Sequence, residues 1–199
     1  HLLRYSRKTG SFSRVDIPFP GSKVYYVMRE DHLGNFWVGT INSGVYIWRK
    51  AAKKWEKLGD PSNDTPWYVR DILVDKNRQT IWVATYNLGL VSYDTRSRKI
   101  RYYSKDSIPP NGMLSSIVTC LAQSRDSTIW AGTESGGLSR YDGEVEGQAK
   151  FTTFTTREGL PENTLYGMLP GVGNGLWISS AKGLIHFDGK EKVTHQWLS

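Results

Sequence analysis

Chemistry in this 199-residue chain would need groups that ionise, coordinate or attack, and the ones present do not converge. His1, His32, His186 and His195 show no pairing at metal-ligand spacing, so they read as solvated or structural imidazoles. Cys120 is the single cysteine, which excludes an intrachain disulfide and a cysteine-built zinc site. Flanked by Thr119 and by Leu121-Ala122, it reads as a buried, inert thiol. No Gly-x-Ser-x-Gly elbow, phosphate loop or acidic calcium loop occurs. The residues therefore supply no catalytic group, metal set or cofactor motif. An enzyme drawing single residues from separate parts of the chain, a lyase or glycosidase, is the alternative left open. Asn63-Asp64-Thr65 spells a glycosylation sequon and reads as a plain loop.

What remains is recognition. Trp67 and Tyr86 stand outside the aromatic positions that repeat along the chain, and Asn42, Asn87, Glu134 and Lys182 fall in corresponding connections. A ring face beside hydrogen-bonding edges suits a sugar. Trp67 suits equally well a plug between neighbouring layers. The formal net charge is +7. Its carriers cluster: Arg4, Arg7 and Lys8; Arg49, Lys50, Lys53 and Lys54; Arg96, Arg98 and Lys99; Lys190 and Lys192. Charges beside edge strands discourage strand addition by other chains, and this protective reading is favoured over an anionic partner. Nucleic acid is disfavoured, since no groove-reading helix or interleaving of aromatic and basic residues accompanies the charge.

These residues must be positioned by strands. Eight Trp and eleven Tyr against three Met favour pleated surfaces, and twenty Gly and eight Pro punctuate short elements. No stretch has the apolar length to cross a bilayer and no charged-then-apolar leader opens the chain, which reads as a soluble segment with any anchor outside it.

The dominant signal is a repeat. Trp37-Val38-Gly39-Thr40, Trp82-Val83-Ala84-Thr85, Trp130-Ala131-Gly132-Thr133 and Trp177-Ile178-Ser179-Ser180 recur at spacings of 45, 48 and 47 residues. That period fits a four-stranded propeller blade. After each comes a glycine and an apolar residue, at Gly44, Gly89, Gly137 and Gly183, then an aromatic three positions past the apolar one, at Trp48, Tyr93, Tyr141 and Phe187. Leu2 and Tyr5 repeat that last step. A further strand opens around Phe12, Trp55, Ile100, Phe151 and Val193, with Asp142-Gly143 and Asp188-Gly189 expected as tight hairpin turns. Upstream of each tryptophan lie the apolar pairs Tyr25/Met28, Val69/Ile72, Val118/Leu121 and Leu165/Met168. Each repeat thus reads as four antiparallel strands, A to D, with the tryptophan on B.

The segment Asp31-His32-Leu33-Gly34-Asn35-Phe36-Trp37-Val38-Gly39-Thr40, with Gly44-Val45 after it, resembles the two-component regulator propeller repeat, and Gly159-Leu160-Pro161-Glu162-Asn163 resembles that family's lead-in to strand A. Ser124 and Gly171 replace the acidic residue in two repeats, and Gln79-Thr80 and Ser127-Thr128 replace the Gly-Asn turn. The resemblance implies the periplasmic sensor of a membrane-spanning hybrid histidine kinase and response regulator, with an oligosaccharide as input, polysaccharide-utilisation genes as output, and no cofactor.

The expected fold is an all-β open partial propeller of about four and a half blades, cut from a larger ring. Residues 1–20 would supply strands C and D of a first blade, and residues 21–64, 65–110, 111–160 and 161–199 one blade each. The end blades would then associate with another copy or with neighbouring blades. A structural dimerisation module is the third reading.

Overall fold

A short strand that is apolar on both faces needs a partner on each side, and here consecutive sheets supply those partners to one another. The computed structural model describes residues 2–18, 24–59, 65–75, 79–105, 113–190 and 193–197. His1, Asn63 and Asp64 of the sequon, Lys192, and the expected blade boundaries at 20/21, 64/65 and 110/111 lie outside or at the edge of the described residues.

Blade I is the two-stranded sheet β1 (Leu2–Ser6) and β2 (Ser11–Val15). Blade II holds β3 (Tyr25–Glu30), β4 (Phe36–Thr40), β5 (Val45–Arg49) and β6 (Lys54–Leu58). Blade III holds β7 (Val69–Asp75), β8 (Thr80–Thr85), β9 (Leu90–Asp94) and β10 (Ile100–Tyr103). Blade IV holds β11 (Val118–Gln123), β12 (Ile129–Thr133), β13 (Leu138–Val145) and β14 (Gln148–Phe154). Blade V holds β15 (Leu165–Pro170), β16 (Leu176–Ser180), β17 (Gly183–Phe187) and β18 (Val193–Trp197). Every sheet is an antiparallel meander in chain order. The one helical element among the described residues is the 3-10 turn Thr156–Glu158, closed by a Thr155/Glu158 capping box and by Gly159 at φ 93°. That turn is the lead-in anticipated around Gly159, and it buries Leu160.

Strand alternation divides each blade between two neighbours. In β8, Ile81 and Val83 join the blade II core of Trp37, Val45 and Ile47, while Trp82 and Ala84 join Val118, Leu121 and Ile129 of blade IV. Trp130 likewise packs on Leu165, Ile178 and Phe187 of blade V. The strand B tryptophan therefore faces the following blade each time. Trp37, Trp82 and Trp130 are fully buried, whereas Trp177, with no blade described beyond it, is half-buried against His186 and Trp197.

The apolar pairs spaced by three have their cause in a bulge. Each strand A shifts register once, between Tyr25 and Val27, Val69 and Asp71, Val118 and Cys120, and Leu165 and Gly167. The extra residue restores parity, so Val69 and Ile72 reach the same core. The innermost strands pack in sequence, β3 on β7, β7 on β11 and β11 on β15. No comparable packing joins β15 to β3 among the described residues, and the stack is an open arc. Asp71 ties three blades at this inner edge, accepting from Arg29 Nη2 (2.9 Å) and from the Leu121 backbone N–H (3.0 Å). Burial pushes its carboxyl above the usual range despite those bonds.

Polar motif residues close the turns. Asp31 accepts from the backbone N–H groups of Leu33 and Asn35 with one oxygen, and from Asn35 Nδ2 and Trp37 Nε1 with the other, all at 2.9 Å. In blade IV, Ser124 Oγ takes the Trp130 Nε1 bond (3.2 Å) and donates to Asp126 (2.6 Å), so two residues replace the missing acid. Thr40, Thr85 and Thr133 each donate to the carbonyl of the following glycine and accept a turn N–H, and Ser180 does so in blade V. Gly44, Gly89 and Gly137 then donate their N–H to Trp67, Ser116 and Asn163 of the next blade. Gly137 sits at φ 75°, and a Cβ there would collide with the Phe154 carbonyl.

Two turns differ from expectation. β13 runs through Asp142-Gly143 to Val145, and the hairpin turns at Glu146-Gly147, both at positive φ. Asp142 is instead the extra residue of a bulge, where it accepts from Arg140 and Thr152, and Gly143 pairs with Lys150. Asp188-Gly189 lies in a longer connection, since β17 ends at Phe187 and β18 begins at Val193.

Burial opposes ionisation of Asp31 most strongly, but its hydrogen bonds together outweigh that penalty and hold the carboxyl below its usual range. Asp31→Ala leaves buried donors unsatisfied and should lower unfolding free energy by about 1–3 kcal/mol at pH 7. With the folded pKa depressed, the deficit is complete above about pH 4 and shrinks as acid protonates Asp31 in the parent protein. Denaturant midpoints of the two proteins at pH 7 and in acid, at about pH 3, check this; equal midpoints at pH 7 would contradict it.

Candidate functional site

In a meander blade the D–A and B–C connections emerge at one end, and hydrogen bonds knit them together there. Ile41, Tyr86, Glu134 and Ala181 each donate a backbone N–H to Val24, Tyr68, Ile117 and Thr164, respectively, just before strand A of the same blade. In blade III this sets Tyr86 beside Tyr68. Asn87 braces the arrangement, accepting from Tyr68 N–H (3.1 Å) and donating to the Pro66 carbonyl (2.8 Å).

Between blades II and III this end opens into a cavity of about 440 Å³, lined by Ile41, Asn42, Tyr68, Val69, Arg70 and Tyr86. Arg70 is the bulged residue of β7. Its guanidinium lies 5.0 Å from the Tyr86 ring centre and 5.4 Å from that of Tyr26, with Nη1 3.4 Å from the Tyr26 hydroxyl. Tyr26, Tyr68 and Tyr86 are all exposed. The cavity thus offers apolar ring faces, an amide and a cation, the set that recognises a polar ring-bearing small molecule.

Of the residues singled out from sequence, Asn42 and Tyr86 meet here and Asn87 supports them. Trp67 does not present an exposed face: it is 4% exposed and packs edge-on against Tyr102 at 6.0 Å. It plugs the seam between blades, because adjacent residues of the connection point to opposite sides and Tyr68 takes the outward position. Glu134 and Lys182 occupy the same end of blades IV and V but are not among the described residues lining this cavity. The Glu134 carbonyl accepts from Thr164 Oγ1, and Lys182 Nζ lies 3.4 Å from the Pro161 carbonyl and 3.7 Å from the Glu162 carboxylate. Tyr26, Tyr68 and Arg70 escaped sequence reasoning. The odd spacing of Val69 and Ile72 was the available sign that Arg70 sits on a bulge.

The opposite end carries the charged hairpins. Glu56 gathers Arg49 (2.8 Å), Lys54 (3.5 Å) and Arg98 (3.6 Å), and the Arg49 hydrogen bond above all holds its carboxyl below the usual range. Burial pushes the Cys120 thiol up to about 12, which suppresses its thiolate at neutral pH. Among the described residues no group of three His, Cys, Asp or Glu is placed to hold a metal ion, and no helix is long and apolar enough to cross a membrane.

Removing a buried ring opens a cavity, whereas trimming an exposed one does not. Trp67→Ala should therefore cost about 3–5 kcal/mol of stability, and Tyr68→Ala and Tyr86→Ala within about 1 kcal/mol. Denaturation curves for the three variants check this, and a Trp67→Ala protein as stable as the tyrosine variants would return Trp67 to the surface.

The two-component regulator propeller family matches residues 18–42. No curated protein sequence matches the chain. Among solved structures, the extracellular domain of a proposed hybrid two-component system from B. thetaiotaomicron is 23% identical with a TM-score of 0.74, over 95% of this chain and 24% of that one. A second B. thetaiotaomicron extracellular domain, from a proposed one-component system, is 18% identical with a TM-score of 0.71, over 93% and 24%. A catalytically inactive virginiamycin B lyase from Staphylococcus aureus, solved with quinupristin, is 16% identical with a TM-score of 0.71, over 98% and 61%. At these identities the likeness concerns the fold, and the chain spans about a quarter of the length of the B. thetaiotaomicron domains it matches. The turn network around Asp31 and Trp37 lies largely within the matched segment, and the chain is a partial β-propeller that carries the two-component regulator propeller repeat.

Proposed function

We propose that this chain is a ligand-sensing propeller segment of a periplasmic, two-component receptor, and that it holds an oligosaccharide in the cavity between blades II and III. The observation that carries the reading is the cluster of Tyr68, Tyr86, Asn42 and Arg70 around one opening, with Tyr26 against Arg70, on a fold shared with two-component extracellular domains. Ring stacking supplies affinity, and the amide and hydroxyl groups orient the sugar. Because the site spans two blades, occupancy would bias their relative packing, which is how a signal could reach the rest of a receptor and, through it, polysaccharide-utilisation genes. Self-association belongs to the same proposal. Leu3, Tyr5 and Phe12 on blade I, and Leu169, Val172 and Trp197 on blade V, are exposed apolar groups at the two ends of the arc.

The test is a titration of the chain with a panel of neutral and acidic oligosaccharides, followed by intrinsic fluorescence. At least one should bind saturably at or below millimolar concentration, and Tyr86→Ala should weaken it by about fivefold or more with an unchanged unfolding midpoint. Absence of any binder, or binding indifferent to Tyr86, would refute the reading.

A further inference from the structure

Within that ligand-sensing reading, on which this step rests, we propose that the blade II–III seam selects an anionic saccharide, with a uronate ring stacked on Tyr68 or Tyr86 and its carboxylate on the edge of Arg70.

Arg70 is set apart from the other half-buried arginines of the described residues. Arg49 and Arg140 each meet a carboxylate, on Glu56 and Asp142 respectively. Among the described residues no carboxylate lies within ion-pair distance of half-buried Arg70. Its sequence neighbour Asp71 does not compete, since its oxygens accept from Arg29 and from the backbone of Ile72 and Leu121. What surrounds Arg70 is aromatic. Tyr26 and Tyr86 lie within cation–π range of the guanidinium, at 5.4 and 5.0 Å from the ring centres, and a contact of that kind consumes none of its N–H donors. Among the described residues only one of those donors has a hydrogen-bond partner, the Tyr26 hydroxyl at 3.4 Å.

A guanidinium edge is a planar fork that matches a carboxylate with two parallel hydrogen bonds, stronger than neutral ones. The rings beside it also hold the side chain in place, so little rotamer freedom is lost when an anion docks. At about 440 Å³ the opening suits one or two sugar rings. Asn42, Tyr68 and Tyr86 line the same opening and carry polar groups that can pair with ring hydroxyls. A neutral sugar would use the ring faces and the amide and leave the Arg70 edge to water.

Calorimetric titration of the whole chain with an oligogalacturonide and with its fully methyl-esterified counterpart isolates the charge, since the two ligands share ring, linkage and length. The acid should bind about tenfold or more tightly than the ester, with the preference shrinking in high salt. Arg70→Gln should lower affinity for the acid to that for the ester, and Arg70→Lys should restore only part of the preference because an ammonium lacks the fork. The comparison on unaltered protein stands even if a variant folds poorly. Equal affinity for acid and ester, or a preference that survives Arg70→Gln, would overturn this inference while leaving the sensing reading intact. Failure of both series to bind would overturn this inference, and failure of the whole oligosaccharide panel as well would overturn both.

Discussion

The burial of one tryptophan per blade against the following blade is the interaction on which the rest depends. A strand B indole can reach the next sheet only if the A–B turn holds its strand in register, and the hydrogen bond from Trp37 Nε1 to Asp31 fastens the two together. The same carboxylate closes the turn through Asn35, so a buried polar turn motif and an apolar contact in the core form one unit. A single blade has nothing to place over its indole. Stability in such an array comes from nearest-neighbour interfaces, as in other repeat proteins, and Trp177 shows the half-buried state of a blade with no described follower.

The same stacking creates the candidate site. Where blades II and III meet at the D–A and B–C end, Gly44 donates to Trp67 and draws the connection of blade III toward the turn of blade II. Trp67 seals the lower part of the seam, and the outward residues that follow it, Tyr68 and Arg70, wall the opening above. Arg70 is itself the residue that the β7 bulge adds, and it lies between two tyrosines. Recognition at this end thus rests on side chains that the core does not use, set on a backbone that the core fixes.

The blades were readable from sequence because their signals are side-chain identities at a fixed period: Trp for the interface, Gly for positive φ, Thr or Ser for the turn. The site was readable only in part. Asn42 and Tyr86 follow strand B directly, where topology alone gives their position. Trp67 and Tyr68 are adjacent aromatics, and which of them turns inward depends on hydrogen bonds from Asn87 and Gly44, distant in sequence. Asp142-Gly143 carried a strong local turn signal that lost to continued pairing of Glu144 and Val145 with Ala149 and Gln148. Asp126, which supports Ser124 beneath Trp130, follows no family position and appears only when the bond is seen.

If stacking between blades is what holds the structure, protection should grade with the number of covered faces and not with strand length or hairpin quality. Native-state hydrogen exchange followed strand by strand tests this most directly. The slowest amides should lie in β8, β9 and β12 of blades III and IV, with β16 and β17 faster and β1 and β2 fastest. Protection in β1 and β2 equal to that in β8 and β12 would mean that each sheet is stable by itself, and would contradict the account.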